Sequence, residues 1–352
     1  MIWNQMSFHN TAELEAIPGL PGWRLQRFPR AVRDKLGHGA HEKGRFVSQA
    51  STGCEIRFVT DAPFIRIALS ATVEDGDIVV YNGDFFHSMH RLKTGEICTL
   101  QLNKPERFDE VDASALRQGR FSPQVWRIAI SRNYYPGRAF QVAFHHLDTF
   151  GHDVRPPMPE ELPVLTMLAY GSSITHGSGA TVQHLAYIQQ TASRLGVDVW
   201  NKGVGGSCLI EPAMTDYLMQ LEDWDLAVLE LGVNMRGMFT PDEFEARARY
   251  LISGLLANQP GKPVVLISIF PNSADVRKDA NNPLTESNRE FIQRLQRIYD
   301  DLQHPHLHFV DGHDILTDFS RLTNDLIHPS DEGHIQMGQH LADRLRALVD
   351  KL

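Results

Sequence analysis

Four short clusters of polar and glycine residues in the second half of the chain contain the residue types that nucleophilic chemistry needs. They lie at residues 171–175, 201–207, 230–235 and 325–329. The last of them has Asp325 three residues before His328. At this spacing, one turn of helix or a tight loop can place the carboxylate against one ring nitrogen and leave the other nitrogen free. A serine hydroxyl becomes a good nucleophile when such an imidazole takes its proton and a third group fixes the imidazole tautomer.

Each cluster follows a short apolar run that predicts a β-strand. The predicted strands are 165–170, 197–201, 226–231, 264–270 and 308–310, and the predicted helices are 181–195, 241–257, 286–302 and 334–350. Apolar strands that alternate with helices of this length indicate a parallel sheet covered on both faces. Functional residues of such folds gather at the carboxyl ends of the strands. We therefore expect the four clusters to lie along one edge of one sheet.

In content and order, the four clusters resemble the four sequence blocks of the SGNH (GDSL-type) hydrolases, a superfamily of serine esterases and acyl-processing enzymes. The resemblance covers nearly all of residues 165–352. It implies a flavodoxin-like, three-layer α/β/α domain with a five-stranded parallel sheet. It also implies that Ser173 is the nucleophile, that His328 is the general base and that Asp325 orients His328.

The same resemblance implies an oxyanion hole made by the backbone N–H groups of Ser173 and Gly206 and by the side-chain amide of Asn234. A glycine at position 206 lets a substrate approach the backbone closely, and an asparagine amide donates hydrogen bonds without titrating. The chain has Ser172 and Met235 at two positions where the superfamily often has aspartate. These two differences bear on loop geometry and substrate preference.

The first half of the chain has the pattern of β-structure. Apolar residues alternate with other residues at positions 65–69, 126–130 and 140–144. A period of two buries one face of a strand, and several short strands separated by turns favour an antiparallel sandwich. We therefore predict an all-β, jelly-roll-like sandwich domain over residues 1–155, with a short helical or irregular lead-in at about 10–40. Core packing is the favoured explanation of most aromatic residues in this half, and residues 134–137 are the candidate exposed segment for sugar stacking.

Prolines at 156, 157, 159 and 163 predict an extended connector over residues 156–164. The hydrolase domain is then expected over residues 165–352. A β-sandwich in front of such a domain resembles certain carbohydrate esterases and a few acyltransferases of the superfamily.

Composition excludes several classes of protein. The 352 residues carry a net charge of −9, and residues 156–352 hold 15 basic against 26 acidic side chains. We therefore expect no binding of nucleic acid or of an anionic membrane. No apolar run reaches the ~18–20 residues of a membrane span, and the first residues lack the pattern of a signal peptide. The three cysteines are far apart in sequence and form no Cys-x-x-Cys pair, so a cytoplasmic location is expected.

No cofactor or metal is expected. His304, His306 and His308 alternate, which could suggest a metal site, but no acidic residue accompanies them at a matched spacing. A solvated strand edge is the favoured interpretation of these histidines.

The leading functional hypothesis is a serine esterase that removes a short acyl group, most readily acetyl, from a carbohydrate or related polyol through an acyl-enzyme. Two alternatives stay open. An acyltransferase would pass the acyl group to a hydroxyl acceptor in metabolite or glycan biosynthesis, and a non-catalytic carbohydrate-binding protein would only bind the ligand. The expected partner is a small-molecule or oligosaccharide ester, and assembly into a homo-oligomer is left open.

Overall fold

The computed structural model describes residues 1–133, 139–279 and 281–352. The chain divides into two compact units. A β-rich unit contains residues 1–30, 48–164 and 196–198, and an α/β unit contains residues 31–47, 165–195 and 199–352. Residues 31–47 thus group with the α/β unit, although the sequence-based boundaries place them in the first domain. The candidate sugar-stacking segment 134–137 lies outside the described residues.

Two antiparallel sheets form the β-rich unit. Its strands are β1 (Ile2–Trp3), β2 (Met6–His9), β3 (Glu13–Ala16), β4 (Trp23–Gln26), β5 (Glu55–Val59), β6 (Phe64–Ala71), β7 (Gly76–Asn82), β8 (Phe85–Leu92), β9 (Ile97–Asn103), β10 (Val125–Asn133) and β11 (Val142–Asp148). The strand orders are β1-β2-β5-β10-β7-β8 and β3-β4-β11-β6-β9. Ile65, Ile67 and Leu69 of β6 are buried in one core with Trp126 and Ile128 of β10. The predicted β-sandwich is confirmed.

The expected helical or irregular lead-in at residues 10–40 is wrong for β3 and β4. These strands have only four residues each, and their burial does not alternate clearly. Their backbone groups are satisfied by pairing, because β3 pairs with β4 and β4 pairs with β11. Strand β4 pairs with a partner more than 100 residues away, and a four-residue strand such as β3 leaves a weak local signal by itself.

A five-stranded parallel sheet forms the centre of the α/β unit. Its strands are β12 (Thr166–Tyr170), β13 (Asp198–Asn201), β14 (Leu226–Glu230), β15 (Val264–Ile267) and β16 (Leu307–Val310), in the order β13-β12-β14-β15-β16. This order is the flavodoxin-like order 2-1-3-4-5. The second strand is added on one side of the first and the later strands on the other side, so the topological switch point lies between the first and third strands. The predicted fold and the predicted strands are confirmed. Ligands of such folds bind at the carboxyl ends of the strands beside that switch point.

Helices accompany the sheet as predicted, with two differences. The described α-helices are α1 (Arg30–Arg33), α2 (Lys43–Val47), α3 (Ala113–Leu116), α4 (Ser173–His176), α5 (Tyr187–Leu195), α6 (Pro212–Met219), α7 (Pro241–Asn258), α8 (Pro283–Leu302), α9 (Gly312–Ile315) and α10 (Asp331–Val349). Of these, α3 belongs to the β-rich unit. Helices α7, α8 and α10 match their predictions closely. Helix α5 begins six residues later than the predicted start at 181, and α6 was not predicted, because about two turns show too little periodicity.

Helices α5 and α10 pack closely at Gly338. A Cβ atom at this position would collide with the Cβ of Gln190 and would lie 3.0 Å from the carbonyl oxygen of Tyr187. Both obstacles belong to α5, and a backbone carbonyl cannot rotate away as a side chain can. Gly338 therefore sets the distance between the two helices.

We expect Gly338→Ala to lower the free energy of unfolding by about 1–3 kcal/mol through overpacking, although alanine alone would favour the helix by about 1 kcal/mol. Urea unfolding measures the change. Gly254→Ala in α7 is the matched control, because the atoms nearest to its added Cβ all belong to the flexible side chain of Met219. Equal stability of the Gly338→Ala variant and the wild type would contradict the assigned packing.

Candidate active site

Ser173 lies at the start of the one-turn helix α4, directly after β12. The Ser172 hydroxyl caps this helix by accepting a hydrogen bond from the N–H of Ile174 at 3.1 Å. Gly177 ends the helix in a left-handed conformation, with φ +104°. This tight turn places the Ser173 side chain at the carboxyl end of β12, beside β14, at the topological switch point of the sheet.

A hydrogen-bonded relay joins Ser173, His328 and Asp325. The Ser173 Oγ lies 2.8 Å from the Nε2 of His328, and the Nδ1 of His328 lies 2.6 Å from the Oδ2 of Asp325. Since a carboxylate accepts, Nδ1 carries the hydrogen and Nε2 is left to accept the serine proton. The three side chains that the sequence singled out are therefore brought together.

The loop between β16 and α10 holds Asp325 by several hydrogen bonds. Its Oδ1 accepts from the backbone N–H groups of Ile327 and His328 and from the hydroxyl of Thr323, each at 2.9 Å. Burial raises the pKa of Asp325, but the hydrogen bonds from His328, Ile327 and Thr323 outweigh it and lower the pKa to about 2. The carboxylate therefore stays ionised at neutral pH and favours a hydrogen on the facing ring nitrogen of His328. The local structure is a tight loop, with Leu326 at φ +57°.

The predicted oxyanion donors lie on the loops after β12, β13 and β14. Gly206 has φ +65°, a conformation that favours glycine. A Cβ on the preceding Gly205 would lie 3.7 Å from the Cβ of Ser173, so this turn approaches Ser173 closely. The Oδ1 of Asn234 accepts from the N–H of Cys208 at 3.1 Å, which turns its NH₂ group away from that loop. The oxyanion roles of Ser173, Gly206 and Asn234 stay predictions.

A buried carboxylate lies beneath the turn of residues 171–177, which carries Ser173. The Oε2 of Glu230, the last residue of β14, accepts from the N–H of Ser172 at 2.7 Å and from the hydroxyl of Thr175 at 3.1 Å. These donors flank Ser173 on both sides. The Thr175 hydroxyl also lies 2.9 Å from the hydroxyl of Tyr187. The sequence placed Glu230 in the third cluster but assigned it no role; the available signal was an acidic residue at the end of an apolar strand.

Glycine at position 171 makes this arrangement possible. A Cβ there would collide with the Thr175 hydroxyl oxygen and would lie 2.7 Å from the Oε2 of Glu230. Burial raises the pKa of Glu230 to about 7, against the lowering effect of its hydrogen bonds from Ser172 and Thr175. The native protein therefore keeps a proton on Glu230 in a pH range in which an exposed glutamate has lost it.

The alternating histidines that the sequence singled out are not part of a metal-binding group. Within the described ranges, no three His, Cys, Asp or Glu side chains form a group that could hold a metal ion. His308 lies in β16, whereas His304 and His306 precede that strand and their rings are 5.8 Å apart. Among the residues that the structure describes, no helix has both the length and the apolar character that crossing a membrane requires.

Comparison with known families identifies the segment that carries these residues. Residues 169–335 match the model of the GDSL-like Lipase/Acylhydrolase family. Ser173, Asn234, Asp325 and His328 all lie within the matched segment, and the predicted resemblance is confirmed over it. The match supports a serine hydrolase. None of the curated proteins compared with the chain matches it.

Solved structures share the fold of this chain at low sequence identity. A salicylyl-acyltransferase from a tetracycline biosynthetic pathway has a TM-score of 0.78 at 14% identity, over 98% of this chain and 95% of that chain. A family two carbohydrate esterase from Clostridium thermocellum, in complex with cellohexaose, has a TM-score of 0.62 at 13% identity, over 86% and 94%. An acetyl xylan esterase from Butyrivibrio proteoclasticus has a TM-score of 0.58 at 11% identity, over 99% and 96%. These likenesses are likenesses of fold.

The raised pKa of Glu230 leads to a pH-dependent prediction. The unfolded chain releases this proton near 4.5 and the native protein near 7, so the group's contribution to stability is complete below about 4.5 and is lost as the pH rises through 7. Glu230→Gln keeps an oxygen for Ser172 and Thr175 but cannot ionise. We expect the melting temperature of the variant, relative to wild type, to increase between pH 5 and pH 8.

Thermal unfolding across that pH range measures the difference. Glu222→Gln, at an exposed position, is the control and should show a difference from wild type that does not change with pH. A constant difference for Glu230→Gln would mean that Glu230 does not titrate in this range.

Proposed function

We propose that this chain, in which residues 169–335 match the GDSL-like acylhydrolases, is a serine esterase that removes a short acyl group from a carbohydrate or related polyol. The observation that carries the proposal is the relay from Ser173 Oγ to His328 Nε2 at 2.8 Å and from His328 Nδ1 to Asp325 at 2.6 Å. These are the distances that proton transfer from a serine to a histidine requires.

In the proposed reaction, the Ser173 oxygen attacks the ester carbonyl carbon while the Nε2 of His328 takes the hydroxyl proton. Asp325 keeps the ring in the required tautomer and stabilises the imidazolium. The N–H groups of Ser173 and Gly206 and the amide of Asn234 donate to the oxyanion. His328 then protonates the departing alcohol, and an acyl-Ser173 ester is left. A water molecule, deprotonated by His328, releases the acid and restores the serine.

The substrate class is proposed from two supports. The carbohydrate esterase and the acetyl xylan esterase share the fold, and both names refer to acyl groups on sugars. The β-sandwich precedes the hydrolase unit, as the sequence-based resemblance implies. We therefore propose acetyl as the acyl group and a sugar or oligosaccharide as the alcohol.

The three free cysteines, of which Cys54 and Cys208 are buried, support a reducing, cytoplasmic compartment.

Acyl transfer to a hydroxyl acceptor is the second candidate, and the structural likeness to a salicylyl-acyltransferase at a TM-score of 0.78 favours it specifically. Both reactions share the acyl-enzyme and differ in whether water or another alcohol attacks it. Partitioning of a labelled acetyl group between water and added polyols distinguishes the two. If more of the labelled acetyl group is transferred to the polyol than is released by hydrolysis, the transferase is favoured.

Replacing the nucleophile tests the whole proposal. We expect Ser173→Ala to lower kcat/KM for p-nitrophenyl acetate and acetylated sugars by at least ~10³-fold, because the variant lacks the oxygen that carries the acyl group in the proposed reaction. A fluorophosphonate probe should label wild type and not the variant. Ser178→Ala, a nearby serine outside the relay, is the control and should keep both properties. Unchanged activity of Ser173→Ala would overturn the proposal, and tight glycan binding by an unlabelled wild type would indicate a binding protein.

The oxyanion role of Asn234 has its own test. We expect Asn234→Ala to lower kcat by ~10²–10³-fold with little change in KM, since its amide is proposed to bind only the developing oxyanion. Asn234→Asp keeps an oxygen that can accept from the Cys208 N–H but has no NH₂ group. Steady-state kinetics should show that both variants lose activity. Retained activity in Asn234→Asp would assign the residue to holding the Cys208 loop.

A further inference from the structure

An N-terminal segment of the α/β unit reaches the functional edge of the sheet. Residues 31–47, here called the arm, precede the family-matched segment by more than 120 residues but belong to the same compact unit. The N–H of Gly37 donates to the Oε1 of Glu211 at 3.1 Å, and the rings of His38 and Phe239 have centroids 4.4 Å apart. Glu211 lies on the chain after β13 and Phe239 on the chain after β14. The arm is thus anchored to two of the loops that carry the predicted oxyanion donors.

His41 ties the arm to the turn beside the nucleophile. Its Nε2 lies 3.2 Å from the carbonyl oxygen of Gly206 and 3.1 Å from the hydroxyl of Ser207. A carbonyl oxygen only accepts, so a hydrogen on Nε2 donates to Gly206. The arm therefore has a defined position against this turn.

Lys43, two residues further along the arm, places its ammonium group at the same turn. The Nζ is so close to Gly206 that a Cβ atom on this glycine would lie 2.6 Å from it. The adjoining Gly205 in turn approaches Ser173, with 3.7 Å between its added Cβ and the serine Cβ. Lys43 and Ser173 therefore both lie against the turn formed by Gly205 and Gly206.

The ammonium group of Lys43 has no acidic partner in the part of the chain that the structure describes: no carboxylate oxygen lies within 4.0 Å of its Nζ. Arg45, on the same short helix α2, is engaged by contrast, with Glu42 at 2.8 Å and the carbonyl oxygen of Leu36 at 3.0 Å. Residues 156–352, which supply most of the α/β unit, hold 26 acidic and 15 basic side chains. Lys43 is thus an exposed cation without an acidic partner among the described residues, at the turn that approaches Ser173.

We propose that Lys43 is a specificity-determining residue that binds a carboxylate of the substrate next to the ester. The inference rests on the proposed esterase function and narrows its substrate class to esters that bear a negative charge. The carboxylate belongs either to the alcohol, as in an acetylated sugar acid, or to the acyl group, as in a hemisuccinate. In both cases the ammonium pairs with the carboxylate while Ser173 attacks the neighbouring carbonyl carbon.

Matched pairs of esters test this. Acetylated methyl glucuronoside is compared with acetylated methyl glucoside, and p-nitrophenyl hemisuccinate with p-nitrophenyl acetate, for wild type and for Lys43→Met. We expect Lys43→Met to lower kcat/KM about tenfold, through KM, for the charged member of one pair, and to leave both neutral esters within about twofold. The pair that responds identifies the source of the carboxylate.

Three controls make the result specific. Lys35→Met, an exposed lysine of the same arm, should change neither pair, and Lys43→Arg should keep the preference for the charged ester. Added salt should weaken the wild-type preference, since screening acts on an exposed ion pair. Equal loss on charged and neutral esters, or no loss on either, would overturn the role of Lys43.

A binding measurement separates this inference from the proposed function. In the Ser173→Ala background, NMR titration with methyl glucuronoside and with succinate reports binding without turnover. Binding of one of them that is lost in the double variant with Lys43→Met supports the carboxylate site, even if wild type hydrolyses no ester. Absence of binding of both, or binding that the Lys43→Met change does not weaken, would overturn it.

Discussion

A serine hydroxyl reacts as a nucleophile only while an imidazole is held within hydrogen-bonding distance of it, and in this chain the two groups are 155 residues apart in sequence. The parallel sheet meets this requirement. Every strand of such a sheet ends at the same edge, so loops that are distant in sequence become neighbours in space. The reversal of strand order beside β12 opens that edge at the point where Ser173 emerges. The tight loop around Asp325 then places the Nε2 of His328 2.8 Å from the Ser173 Oγ.

A polar group inside the fold holds the turn that carries Ser173. Glu230 binds the turn from beneath through Ser172 and Thr175, and only a glycine at position 171 leaves room for that contact. A carboxylate in this position is costly to ionise, which is why its pKa rises to about 7. The contrast with Asp325 follows from their surroundings. Asp325 accepts hydrogen bonds from backbone and side-chain donors that offset its partial burial, and its pKa falls to about 2.

The α/β unit is not a continuous stretch of chain. The arm of residues 31–47 lies earlier in the sequence than most of the β-rich unit, yet groups with the hydrolase fold and contacts the turn at Gly206. The family match covers the reactive groups but not the arm. Relatives that share the relay can therefore differ in the groups that surround it, and this is where substrate preference is expected to reside.

Periodicity and residue type were sufficient to predict the sandwich, the parallel sheet and most helices, and the resemblance of the four clusters to the SGNH sequence blocks singled out Ser173, Asp325 and His328. Each of these depends on local patterns: alternation in strands, apolar runs in buried strands, and polar clusters at strand ends. Short elements such as β3, β4 and α6 were missed because their stability comes from pairing and packing rather than from their own residues. The position of the arm, the contact of Glu230 with the turn that carries Ser173 and the location of Lys43 beside Gly206 depend on contacts between residues far apart in the chain. Such contacts are decided by how the elements pack, so only the tertiary structure could reveal them.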